Sequence, residues 1–107
     1  METVPFASFG KLDLRIAKIL AVELHPKADR LYILTINGGE ERCLVAGLRP
    51  YYTPDELLGK SIVVVWNLEP ATIRGVESQG MLLAVKDGDT VSLVTPEHSV
   101  LPGSKVS

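Results

Sequence analysis

An all-β fold, a barrel of five strands with one short helix between the third and the fourth, is what this sequence predicts. Three observations carry the prediction: apolar residues alternate from Leu12 to Leu24, an Asn-Gly turn joins two short runs of strand formers, and a Thr-Pro-Asp-Glu helix start follows the second of these. Alternation with period two gives a strand one buried face. Asn-Gly between such runs reads as an antiparallel hairpin. A threonine N-cap followed by proline and acidic residues opens a helix.

The first strand carries Leu12, Leu14, Ile16, Leu20, Val22 and Leu24 on one face, with Lys18 interrupting the row. By parity its ammonium would point into the core, where an unpaired charge is very costly. The sequence therefore predicts a bulge near Ala17 or an exit of the strand at the barrel rim. His25 to Arg30 is a polar connection opened by Pro26, and Leu31–Ile36 follows as a second strand. Asn37 to Glu40 turns the chain back into a third strand, Cys43–Ala46. Thr53 to Gly59 makes the short helix. Ile62–Trp66 is apolar without alternation, as expected of a central strand covered on both sides, and Met81–Val85 reads as a second core strand of that kind. Asp87-Gly88-Asp89 turns into a short sixth strand, Val91–Val94. Strand, strand, strand, helix, strand, strand, appendage is the layout of the OB barrel, although small SH3-like barrels share the strand count.

The chain's 107 residues, 46% of them apolar, are enough for one core and no second domain. A single domain over 1–107 is expected, with a core over about 9–94 and a tail over 95–107. Met1 to Gly10 has no leader pattern, and nowhere do ~20 consecutive apolar residues occur, so no membrane span and a cytoplasmic location are expected. Cys43 is the only cysteine and His25 and His98 the only histidines, which leaves no ligand cluster for a metal; no cofactor is expected either. Cys43, Ser78, Thr95 and Ser99 are the available nucleophiles, yet nothing pairs any of them with a histidine, and no phosphate-cradling Gly-x-x-x-x-Gly-Lys loop occurs. Catalysis is not expected. The net charge of −2 and isoelectric point near 5.6 argue against a broadly basic surface. Any polyanion site must then be a local patch, with Glu23, Asp55, Glu56, Glu69, Asp87 and Asp89 on other faces.

Five ordered motifs go further: Asp13 to Ile19, His25-Pro26-Lys27-Ala28-Asp29-Arg30-Leu31, Val45-Ala46-Gly47-Leu48, Asn67-Leu68-Glu69-Pro70, and Glu77-Ser78-Gln79-Gly80-Met81-Leu82-Leu83-Ala84. With these the chain resembles, from about Phe9 to Ser107, the tRNA-binding domain family. That family includes the C-terminal module of methionyl-tRNA synthetases, the separate beta subunit of archaeal ones, stand-alone structure-specific tRNA-binding proteins and cytokine-like synthetase cofactors. The resemblance implies an OB fold, a homodimer built partly through the C-terminal segment, and recognition of tRNA near its outer corner by shape. It also implies a methionyl-tRNA synthetase catalytic subunit as a further partner. Shape reading is physically sensible, because an A-form duplex hides its base edges and presents phosphates and 2′-hydroxyls.

Carried onto this sequence, the most RNA-facing motif is Ser78-Gln79-Gly80-Met81 with the loop Thr72 to Glu77 before it. Ser78 offers a hydroxyl, Met81 a soft apolar contact, and Arg74 a guanidinium able to hold a phosphate through two bonds. Asn67 is an amide donor at the rim. Lys18, Lys27, Arg30 and Arg49 are further phosphate candidates, Lys18 first among them. His25 and Asp29 read better as loop-pinning residues. Trp66, Tyr32, Tyr51 and Tyr52 are candidates for stacking on unpaired bases; of these Trp66 is expected inside, whereas the Tyr51-Tyr52 pair forms a more exposed platform. The function expected is a noncatalytic tRNA-binding subunit. The competing reading is a polypeptide-binding module like the export-related chaperones of the same fold, which tend to lack the full combination of motifs found here. The tail Val94–Ser107, apolar and proline-bearing, is expected to cover something and to serve dimerisation.

Overall fold

A computed structural model describes residues 1–107. After a single turn of helix, α1 (Phe6–Phe9), comes the long strand β1 (Leu14–Leu24), which organises the whole barrel. Its first half pairs antiparallel with β4 (Ser61–Val65), from Leu14 opposite Val65 to Lys18 opposite Ser61. Its second half pairs with β2 (Tyr32–Asn37), from Lys18 opposite Asn37 to Leu24 opposite Tyr32. β2 in turn pairs with β3 (Glu41–Ala46) along its full length, and β4 with β7 (Met81–Leu82). The resulting order, β3-β2-β1-β4-β7, curls into an OB-like barrel. The short helix α2 (Pro54–Leu57) lies between the third and fourth strands.

The bulge in β1 falls between Ile19 and Ala21, not near Ala17. Ahead of it Ala17 and Ile19 enter the core cluster, and beyond it half-buried Val22 packs against that cluster, so the inserted residue reverses the parity of the strand. Lys18 lies outside the inward row and is exposed without any rescue. The alternation in the sequence misleads because Leu14 and Ile16 are buried outside the main core, together with Val63 and Val65, whereas Leu20 and Leu24 are exposed.

Thirteen buried residues form that core, with Leu34, Ile36, Leu44, Leu57, Ile62 and Val64 at its centre. α2 is secured by a full capping box: Glu56 N–H donates to Thr53 Oγ1 (3.3 Å) and Thr53 N–H to Glu56 Oε1 (2.8 Å). The bond from Thr53 holds the Glu56 carboxyl below the usual carboxylate range. Leu57 plugs the barrel from this helix.

Two stretches differ from expectation. The segment after Asn67, read as a loop, is a hairpin of β5 (Ala71–Ile73) and β6 (Val76–Ser78). The supposed core strand Met81–Val85 stays on the sheet only as β7, and the chain then leaves it as a second hairpin, β8 (Ala84–Asp87) and β9 (Thr90–Leu93). Met81 and Val85 are consequently exposed, and Leu93 alone in the second hairpin is buried. The tail returns to the barrel: β10 (Lys105–Val106) pairs with β1 at Leu14 and Arg15, Ile16 N–H donates to Ser104 O, and Gly103 N–H donates to Ile16 O. No helix is long and apolar enough to cross a membrane.

Candidate nucleic-acid interface

Pairing of Leu24 with Tyr32, and of Tyr32 with Ala46, brings the end of β1, the start of β2 and the end of β3 to one end of the barrel. The loop 25–31 and the loop 47–53 therefore leave from the same end. The β5–β6 hairpin is fastened to β3 beside them. Gln79 N–H donates to Cys43 O (2.8 Å), Gln79 Oε1 accepts from Cys43 N–H (3.1 Å), and Ser78 Oγ accepts from Val45 N–H (3.0 Å). β6 thus runs antiparallel to β3, which carries its tip, Arg74-Gly75, to the loops 25–31 and 47–53.

That tip has positive φ at both central positions, Arg74 at 52° and Gly75 at 88°, the pattern of a type I′ turn. Arg74 is the only non-glycine residue in the chain with positive φ. The conformation costs an L residue roughly 1 kcal/mol, which a glycine would not incur. Arg74 Nη2 donates to Lys27 O (3.0 Å). Beneath it His25 is buried, its Nδ1 accepting from Lys27 N–H (3.0 Å) and its Nε2 lying 3.1 Å from Ile73 O.

Four of the expected phosphate contacts, Lys27, Arg30, Arg49 and Arg74, are therefore brought to one end by three segments far apart in the chain. Lys27, Arg30 and Arg74 are exposed and Arg49 half-buried. Alongside the hairpin runs a groove of about 500 Å³, whose walls include Gly47, Leu48, Tyr51, Ile73, Met81 and Lys86. Met81 is 51% exposed on this wall, which removes the reading of it as the start of a core strand. Tyr51 is the tyrosine that stays exposed; Tyr32 is buried with its hydroxyl donated to Tyr52 O (2.7 Å), and Tyr52 Oη accepts from Leu93 N–H (3.1 Å). The segregation of carboxylates is incomplete: Glu69 lines the groove, and exposed Glu23 and Asp29 lie at the cation-bearing end, beside Leu24 and within the loop 25–31.

The other expected site residues stand apart from this end, two of them engaged in bonds within the fold. Ser78 is 4% exposed, and besides accepting from Val45 its hydroxyl donates to Gly80 O (3.1 Å), which leaves no proton for a phosphate. Asn67 spends its amide on the N-terminal segment: Oδ1 accepts from Asp13 N–H (2.8 Å) and Nδ2 donates to Lys11 O (2.7 Å). Lys18 is exposed but lies six residues of strand before Leu24, about 20 Å from the four-cation end at the usual rise. It does not share their surface.

Sequence reasoning passed over Arg15, Arg42 and Lys86. The two arginines lie over the Trp66 ring at 4.9 and 4.0 Å, and the indole is buried as expected. Both are occupied: Arg15 holds Asp13 through Nε and Nη2 and donates to Gly38 O, while Arg42 donates to Trp66 O and to Glu40. The Arg15 guanidinium holds the Asp13 carboxyl below its usual range. Lys86 is different, a groove-lining cation on β8; its signal was the turn at Asp87-Gly88-Asp89, which makes Ala84–Asp87 a rim strand instead of the end of a core one. No group of three or more His, Cys, Asp or Glu side chains is placed to hold a metal ion.

Comparison with known proteins agrees with this architecture. Residues 14–105 match the family described as "Putative tRNA binding domain". The methionine–tRNA ligase of Pyrococcus horikoshii is 56% identical over 107 residues, which cover 99% of this chain but 15% of the ligase. For the ligase of Thermotoga maritima the figures are 54% identity, 99% and 17%. The chain thus spans about a sixth of the length of these relatives. Among solved structures, a MetRS-related protein from Pyrococcus horikoshii superposes with a TM-score of 0.93 at 33% identity, covering the whole of both chains. The CsaA chaperone protein from Picrophilus torridus gives 0.91 at 30% identity, over 98% of this chain and 100% of that one. Both the motifs in the sequence and these matches lead to one conclusion: the chain belongs to the tRNA-binding domain family.

Proposed function

We propose that this protein is a noncatalytic tRNA-binding module that supplies phosphate contacts from the barrel end bearing Lys27, Arg30, Arg49 and Arg74. It acts in the cytoplasm beside a methionyl-tRNA synthetase catalytic subunit, as a beta subunit in trans. The observation that carries this reading is the convergence of those four cations from three separate segments in a chain of net charge −2. A second site on the same tRNA raises a synthetase's hold on it through effective concentration, without taking part in aminoacylation. The A-form surface of tRNA offers phosphates and 2′-hydroxyls, which a local cationic end can follow without reading bases.

The competing reading, capture of unfolded polypeptide, draws on the apolar groove beside Met81 and on the likeness to the CsaA chaperone protein. Side-by-side titration separates the two. Folded tRNA is expected to bind with log K falling against log salt by about 0.7–0.9 per neutralised phosphate, whereas unfolded polypeptide is expected to bind far more weakly and with little salt dependence. A flat salt response with tRNA would overturn the proposal.

A homodimer is part of the same reading. Phe6 is 84% and Leu101 79% exposed, on terminal segments that both adjoin the first half of β1. Deleting everything after Val94 would also strip β10 from β1, so point changes are the cleaner test. Phe6→Ser with Leu101→Ser is expected to shift the protein from dimer to monomer in light scattering while leaving its melting temperature within a few degrees. An unchanged dimer mass would exclude these surfaces from the interface.

A further inference from the structure

His25 is buried at 3% exposure beneath the four-cation end, and both of its ring nitrogens are engaged. Nδ1 accepts from Lys27 N–H, which places the imidazole proton on Nε2, where it is donated to Ile73 O at 3.1 Å. Arg74 returns the connection by donating to Lys27 O. Two bonds therefore tie the 25–30 loop to the tip of the β5–β6 hairpin, and a third fixes the tautomer that one of them needs. The hairpin has little else to hold its tip. It forms a separate two-stranded sheet of three residue pairs, and its bonds to β3 come from Ser78 and Gln79, at the end away from Arg74. An isolated two-stranded hairpin is marginal in water.

We propose that His25 is a positioning residue for RNA binding, which locks the Arg74 tip against the Lys27 loop so that their cations meet a phosphate backbone as one unit. The inference rests on the tRNA reading above. Without the lock, the tip must be ordered at the moment of binding, and the cost is taken from affinity.

Two substitutions dissect the imidazole. His25→Asn keeps an acceptor near the position of Nδ1 but cannot reach Ile73; His25→Gln extends an amide donor toward Ile73. Arg74→Gly removes the guanidinium at a backbone position that glycine accepts. Arg74→Gly and His25→Asn are each expected to weaken tRNA binding about five- to tenfold, the size of one charge-assisted contact. The double variant is expected to be no weaker than Arg74→Gly alone, because one lost contact cannot be lost twice. His25→Gln is expected to recover most of the affinity. In the free protein, amide hydrogen exchange should speed up in 71–78 for His25→Asn and stay unchanged in β1, β2 and β4.

Wild-type affinity in His25→Asn, or losses that multiply in the double variant, would overturn the proposal. So would faster exchange throughout the barrel, which would make His25 a general stabiliser. If the wild-type protein fails to bind tRNA, the RNA reading falls and takes this role of His25 with it, while exchange in 71–78 still reports whether the lock exists.

Discussion

Gly80→Ala is expected to destabilise the barrel by about 3 kcal/mol or more, combining a backbone strain of about 1–3 kcal/mol with overpacking of similar size. Gly80 has φ of +129°, a conformation that L side chains rarely adopt. A Cβ there would lie 2.9 Å from Val65 O and 3.4 Å from Leu44 Cδ2 and Val64 Cγ1. The first of these atoms cannot move aside, because Val65 is backbone of β4 paired on both edges, with Leu14 and with Met81. Thermal unfolding followed by circular dichroism should show the midpoint falling by about 10–25 °C for a domain of this size. A midpoint within about 3 °C of wild type would mean that the seam between β3 and the 78–80 segment yields easily. Ser78 points the same way, since its hydroxyl bridges Val45 N–H and Gly80 O across this seam. The Ser-x-Gly part of the motif builds the wall, and Met81, next along, is the member that faces outward.

The strands were legible because alternation and turn chemistry act locally. β2, β3, α2 and β4 follow directly from their residues, and the capping box at Thr53 is written in four consecutive letters. β1 was legible as a strand but not in its facing, because a bulge at Leu20 leaves no mark in composition and the first half of the strand is buried on both sides. The β5–β6 hairpin escaped notice for another reason. Its strands have three residues each, and Arg74 occupies a turn position where asparagine, aspartate or glycine would have announced the type I′ geometry. The role of Ser78 was hidden as well: a serine that fills a bond across two strands and a serine that awaits a phosphate look the same in a sequence. Function came from motif resemblance, while the grouping of the cations required three-dimensional structure, since Lys27, Arg49 and Arg74 are connected only through the pairing of β1, β2 and β3 and the anchoring of β6.

Joint replacement of those cations, as Lys27→Gln, Arg30→Gln, Arg49→Gln and Arg74→Gln in one chain, is expected to lower affinity for folded tRNA about a hundredfold at ~0.1 M salt. The slope of log K against log salt should become shallower by about 3, that is 0.7–0.9 for each of four neutralised phosphates. Lys18→Gln supplies the internal comparison. It removes one positive charge, a quarter of the charge lost in the joint variant, from the other half of β1 about 20 Å away along the strand, and should leave slope and affinity nearly unchanged instead of taking a quarter of the effect. The pair of measurements separates a local contact surface from a general effect of charge, which matters in a molecule already carrying −2. If long-range attraction alone mattered, loss of Lys18 would weaken binding by a comparable share per charge, and the salt slope would drift with net charge instead of with position. Since Lys27, Arg30 and Arg74 are exposed and none of the four forms an ion pair, the quadruple variant should keep its fold. A lost slope then reads as lost phosphate contacts, and a retained slope would place the RNA on a different face of the barrel.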